Sequence, residues 1–219
     1  MTVTLDRRRP KLLASPGGEG PFPGIVLLSE AWGITPEIEE LAFRLAKAGY
    51  LTAAPDVLSS RRPAFAVLDV MRGRGSSFQQ VDDAAAWLAD QRQCNARIGL
   101  LGLSMGASIA LRLAATGRFH VAGAFYGFTP RDVDWSHACP IAASFGGRDR
   151  LVRDKGVALA AQLDKAGIPH DIRCYEESRH SFLTETKTGW QSLLLGLEHD
   201  PRAAGHAWTR TMAFFAKHL

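Results

Sequence analysis

Apolar positions along the chain fall into two alternating patterns. One is a short continuous run, as in "GIVLLSE" (24–30), bounded by Pro23 and Gly33. Such runs suit strands covered on both faces. Comparable runs follow at "YLTAAPD" (50–56), "RIGLL" (97–101), "VAGAFY" (121–126), "PIAASF" (140–145) and "HDIRCYE" (170–176). The other pattern is helical. Thr35 stands at an N-cap with Pro36 in the first turn, Glu37, Glu39 and Glu40 complement the helix N-terminus, and Ile38, Leu41, Phe43 and Leu45 supply apolar positions before Gly49 stops the helix. Phe78, Val81, Ala85 and Leu88 recur at helical spacing within 76–91, and further helices are expected at 105–117, near 153–166 and near 203–218. Strand and helix alternate throughout, which predicts a mostly parallel, doubly wound sheet with helices on both faces. With 219 residues, no internal repeat and no low-complexity linker, the expectation is a single α/β domain over 1–219.

Composition narrows the partners. Charged residues form 22% and hydrophobic residues 46%, ordinary for a folded chain. The pI of about 9.2 reflects a formal charge of only +4, with basic residues mostly dispersed. The one short run, Arg7 to Arg9, reads as a solvated hairpin surface, so no nucleic-acid partner is expected. No apolar stretch approaches the ~20 residues that span a bilayer. The N-terminus "MTVTLDRRRPKLLASPGG" lacks a secretory apolar core, so the expectation is a cytoplasmic protein without membrane contact. Cys94, Cys139 and Cys174 are far apart and outside any C-x-x-C pair, and read as core thiols rather than a disulfide framework or zinc knuckle. Oligomeric state carries no signal here.

The chemistry begins at "GLSMGA" (102–107), between a strand and a helix. A sharp strand-to-helix bend lifts a side chain above a sheet, and flanking glycines permit the close approach it needs, so Ser104 is a candidate nucleophile. The competing reading is a small residue in a tight turn. Gly99, Gly102 and Gly106 do not make G-x-G-x-x-G, and no G-K-[ST] follows, so dinucleotide and P-loop binding are not expected. A serine hydroxyl needs a base, and the base an orienter. Asp149 follows the strand at 140–145 and His180 follows that at 170–176, both on the rim expected for Ser104. Asp149 could instead be a turn carboxylate or a partner of Arg148 or Arg150, and His180 a surface histidine. His120, His137 and His170 are poorer bases by position, and Asp154 is the reserve acid. No His, Cys and carboxylate cluster has metal-ligand spacing, and no cofactor is expected. The order Ser, Asp, His is that of α/β-hydrolases.

Taken together, "ASPGGEGPFPGIVLLSEAWGI", "VDDAAAWLADQ", "RIGLLGLSMGASIAL", "FGGRDRLV" and "SRHSF" resemble the dienelactone hydrolases of the α/β-hydrolase fold, over nearly the whole chain. The resemblance implies Ser104, Asp149 and His180 as the triad, with serine where family members commonly have cysteine. It implies oxyanion-binding N–H groups from Ala31 and Met105, and Glu30 beside the nucleophile. With 219 residues the chain has little spare length for a large lid domain, so an open site and a small substrate are expected. Where dienelactone-cleaving members carry an arginine, four residues after the histidine, this chain has Thr184. That shifts the expected substrate toward a simple ester or neutral lactone. Arg72 and Arg74 are alternative cations, and Trp32, Tyr126 and Phe128 are candidate pocket lining or core. A non-catalytic binder of small ligands, and an acyltransferase or perhydrolase using the same triad, stand as the alternatives.

Overall fold

A computed structural model describes residues 10–57, 68–152, 155–185 and 197–219. Arg7 to Arg9 and Asp154 lie outside them. Seven strands form one sheet: β1 Leu12–Ala14, β2 Phe22–Leu28, β3 Leu51–Ala54, β4 Cys94–Leu103, β5 Val121–Phe125, β6 Ile141–Gly146 and β7 His170–Tyr175. Their order is β1-β3-β2-β4-β5-β6-β7. Among the described strands only β1 runs antiparallel to its neighbour; the other pairings are parallel. The principal described helices are α1 Pro36–Lys47, α2 Ser76–Ala89, α3 Met105–Ala114, α4 Lys155–Ala166 and α5 Pro201–His218.

The apolar runs become strands because central strands are covered on both faces. Ile25 to Leu28 of β2 and Leu100, Leu101 and Leu103 of β4 are solvent-inaccessible. β4 shows the two faces directly. A side chain at Gly99 would point at Leu219 beyond α5, and one at Gly102, three residues on, at the first turn of α3. An odd spacing along a strand is a change of face, so α3 and α5 cover opposite sides. Nearly every residue of α3 is buried, as expected for a helix in the middle of a layer. Its Ala107, Ala110 and Ala114 have no exposed surface.

Boundaries differ from the sequence pattern at functional points. β2 stops at Leu28, which leaves Ser29 and Glu30 outside the strand. Thr35 does occupy the N-cap of α1, but its side chain makes no capping bond. Its carbonyl accepts from the N–H groups of Ile38 and Glu39 instead. β1 is only three residues long, too short for any periodicity to reveal. No described helix is long and apolar enough to cross a membrane.

Candidate active site

Ser104 sits between β4 and α3 with φ 51° and ψ −113°. Two packing constraints make this bend. A Cβ at Gly102 would collide with the backbone of Gly106, and one at Gly106 with the carbonyl oxygens of Leu28 and Ser29. The backbones of β2, β4 and α3 therefore meet without intervening side chains. The Ser104 N–H donates to the Phe125 carbonyl at 2.9 Å, which ties the bend to β5. A serine at an N-cap commonly bonds the free N–H groups of its own helix. Ser104 makes no such bond, and its Oγ lies 3.0 Å from His180 Nε2.

His180 lies in the loop after β7, and Asp149 in the loop after β6. His180 Nδ1 is 2.6 Å from Asp149 Oδ2. The other carboxylate oxygen, Oδ1, accepts from the Leu151 N–H at 2.8 Å. Asp149 is 2% and His180 5% exposed, so the pair is shielded from bulk solvent and competing ions. Arg148 pairs with Glu177 and Arg179 with Glu198, while Asp149 faces the histidine. The His180 carbonyl accepts from the Glu198 N–H at 3.1 Å, and its ring packs on Tyr126 at a centroid distance of 5.0 Å. The Ser104–His180–Asp149 chain thus has the separations of nucleophile, base and orienter.

Glu30 is 8% exposed. Burial raises its pKa, against the pull of Tyr126, His180 and Ser181, with Glu37 adding to the rise. Its carboxylate accepts from Ser181 Oγ at 3.1 Å, and its carbonyl accepts from the Gly33 N–H at 3.2 Å. The turn from Glu30 to Gly33 presents Ala31 and Trp32 to solvent, Trp32 at 55%. Met105 is the first residue of α3, where a backbone N–H has no partner within the helix.

The remaining candidates separate. Thr184 is buried and lines a depression of about 300 Å³ with Leu41, Arg44, Leu183 and His199. Tyr126 has no exposed surface and packs between His180 and Phe182, behind the histidine. Its phenol is pushed well up by burial, then by the neighbouring Glu30 charge, and meets no partner in good hydrogen-bond geometry among the described residues. Phe128 is half-buried, its N–H donating to Ser108 Oγ at 2.9 Å. Arg72 and Arg74 are exposed. Their segment docks on Arg112, which donates to the Met71 carbonyl, roughly 12 Å along α3 from Ser104. Ser108 and Ser181 are functional-looking residues that the sequence pattern did not single out. Each is an unremarkable serine until its partner, distant in sequence, is known.

Of the thiols, Cys139 is pushed up to about 12 by burial, and Cys94 is raised by burial. Neither environment favours a thiolate. A larger groove, about 580 Å³, lies on the flank between α4, β6 and β7 and is lined by Val157, Ala160, Ile172 and Cys174 among others. None of Ser104, His180 and Asp149 lines it. Among the described residues no group of His, Cys and carboxylates has the form of a metal site.

A mostly parallel sheet with helices on both faces and a strand-to-helix serine bend at its C-terminal rim define an α/β-hydrolase. The chain belongs to the dienelactone hydrolase family, whose profile matches residues 10–219. It is 28% identical over 216 residues to the carboxymethylenebutenolidase of Rhodococcus opacus, covering 89% of this chain and 81% of that one. To the carboxymethylenebutenolidase of Pseudomonas putida it is 25% identical over 209 residues, 87% of each chain. Its fold is similar to that of a dienelactone hydrolase-like promiscuous phosphotriesterase from metagenomic libraries, with a TM-score of 0.78 at 22% identity, covering 92% of this chain and 89% of the other. The protein is a hydrolase of this family.

Proposed function

We propose that the chain, as one hydrolase domain, cleaves small carboxylic esters or lactones through Ser104, His180 and Asp149. The observation that carries this reading is the continuous contact from Ser104 Oγ to His180 Nε2 at 3.0 Å and from His180 Nδ1 to Asp149 Oδ2 at 2.6 Å. Neutral His180 accepts the Ser104 proton as Oγ attacks the substrate carbonyl. Asp149 holds the Nδ1–H tautomer and stabilises the imidazolium that forms. The N–H groups of Met105 and Ala31 bind the oxyanion. His180 then gives its proton to the leaving alkoxide, leaving an acyl-Ser104. Water, deprotonated by the same histidine, attacks the acyl carbonyl; the Ser104 Oγ–acyl bond breaks, His180 returns the proton to Oγ, and the acid is released.

Carboxymethylenebutenolidase is the name of the relatives, and a lactone is within reach of the same steps here. The surroundings of Thr184 support a neutral substrate, since the depression it lines sets one cation, Arg44, against the carboxyl groups of Glu37, Glu40 and Glu185. A carboxylate entering a protein needs a fixed cation to offset its desolvation, and a threonine hydroxyl offers hydrogen bonding without charge. The decisive experiment is Ser104→Ala with a panel of small esters and lactones. Turnover is expected to vanish while the fold persists, and a fluorophosphonate is expected to label Ser104 in the wild type. Wild-type kcat in Ser104→Ala would overturn the reading.

A further inference from the structure

Ser181 directly follows His180 and is 1% exposed. Its φ is 59°, in the left-handed region where an L side chain is strained. Such strain persists only where the surroundings over-determine the conformation. Glycine would relieve it, so a serine here draws attention to what the hydroxyl does. Ser181 Oγ donates to Glu30 Oε1 at 3.1 Å, across 151 residues of sequence. Glu30 precedes Ala31 in the turn closed by its own carbonyl and the Gly33 N–H. The bond therefore joins the loop after β7 to the turn after β2. Between those two strands the sheet interposes β4, β5 and β6, so no backbone ladder sets the distance between the loops. On its far side the His180 loop is held by the Glu198 N–H and by the Tyr126 ring, whose own φ is 45°.

We propose that the Ser181–Glu30 hydrogen bond is a positioning clamp, which keeps the base loop in register with the oxyanion turn so that His180 and the Ala31 N–H are set relative to one another. The clamp rests on the reading of His180 as base and Ala31 as oxyanion donor. Ser181 and Glu30 are positioning residues in it, acting through their neighbours. The interaction serves the transition state, because a loop displaced by a fraction of an ångström still admits substrate but no longer aligns proton acceptor, carbonyl and donor.

The test uses Ser181→Gly, which removes the hydroxyl while accommodating the backbone, so the variant is expected to fold with little change in Tm. Its kcat on p-nitrophenyl acetate is expected to fall roughly ten- to a hundredfold, with KM nearly unchanged, as positioning losses of this kind do. Glu30→Gln, which keeps an acceptor for Ser181, is expected to retain clearly more kcat than Glu30→Ala. The double variant Ser181→Gly with Glu30→Ala is expected to lose no more than the worse single variant, as for two halves of one interaction. Wild-type kcat in Ser181→Gly, equal losses in the two Glu30 variants, or additive losses in the double variant would each overturn the clamp. If the wild type turned over no ester and Ser104 took no fluorophosphonate, the parent reading would fail. Hydrogen exchange would then judge the clamp alone: a joint rise at 30–33 and 180–184 in Ser181→Gly supports it, and unchanged exchange at either loop overturns it.

Discussion

At the scale of single residues, environment separates the roles of two carboxylates. Asp149 is buried but doubly engaged, by His180 and by the Leu151 N–H. Losing its charge while keeping its shape leaves the imidazole in the wrong tautomer, so Asp149→Asn is expected to lower kcat by up to about 10⁴. Steady-state kinetics on a single ester checks this; a nearly silent variant would remove Asp149 from the triad. Glu30 is buried, and its pKa rises above the ordinary 4.5, chiefly by burial. A carboxyl that holds its proton more tightly when folded contributes stability below its unfolded pKa, and loses that contribution as pH climbs through the folded value. The window therefore opens at 4.5 and extends upward. Denaturant midpoints measured across it are expected to fall with pH in the wild type more than in Glu30→Gln, which cannot ionise. Parallel curves would show that Glu30 titrates as it does in the unfolded chain.

At the scale of elements, the bend at Ser104 depends on three backbones meeting closely. A methyl group at Gly106 would strike the carbonyl oxygens of Leu28 and Ser29, and neither β2 nor α3 can yield without moving the turn that carries Glu30 and Ala31. Overpacking of this sort costs ~1–3 kcal/mol or more. Gly106→Ala is expected to lower stability by that order and to lose kcat beyond what the fraction unfolded explains. Denaturation and kinetics on the same preparation separate the two, and full activity per folded molecule would argue against coupling between the elbow and the turn. The α1 helix and the strands from β2 onward were legible because their apolar periodicity is local. β1 was not, because three residues paired at a sheet edge are held by Thr52, Ala53 and Ala54 of β3 across the gap rather than by their own pattern.

At the scale of the whole molecule, α5 closes the face of the sheet opposite α3. Phe215 has no exposed surface, meets Tyr50 edge to face at 6.1 Å, and occupies the space that a side chain at Gly123 would need. Phe215→Ala is expected to cost about 3–5 kcal/mol while leaving the residual folded enzyme active, since the site lies on the C-terminal rim and the lost contact within the sheet face. Equilibrium unfolding checks the first part. A loss of kcat per folded molecule as large as that of Asp149→Asn would show the core and the site to be less separable than this. Cys174, expected from the sequence to be a core thiol, is instead exposed on β7 beside the flank groove, and is expected to accept a thiol reagent without loss of turnover. Rapid inactivation traced to it would contradict a serine nucleophile.

By itself the sequence determined the class of the fold and singled out Ser104, Asp149 and His180 as candidates, because a strand, a tight turn and a rim loop each leave a local trace in residue type and spacing. Tertiary structure decided what depends on contacts between distant segments. It placed Tyr126 behind His180 instead of at an open mouth, drew Arg148 to Glu177 so that Asp149 faces the imidazole, and docked the segment bearing Arg72 and Arg74 on Arg112. It also brought Ser181 to Glu30. The physical reason is the same in each case. The partner is chosen by which loops converge at the C-terminal ends of the strands, and that convergence is a property of the packed sheet rather than of any window of sequence.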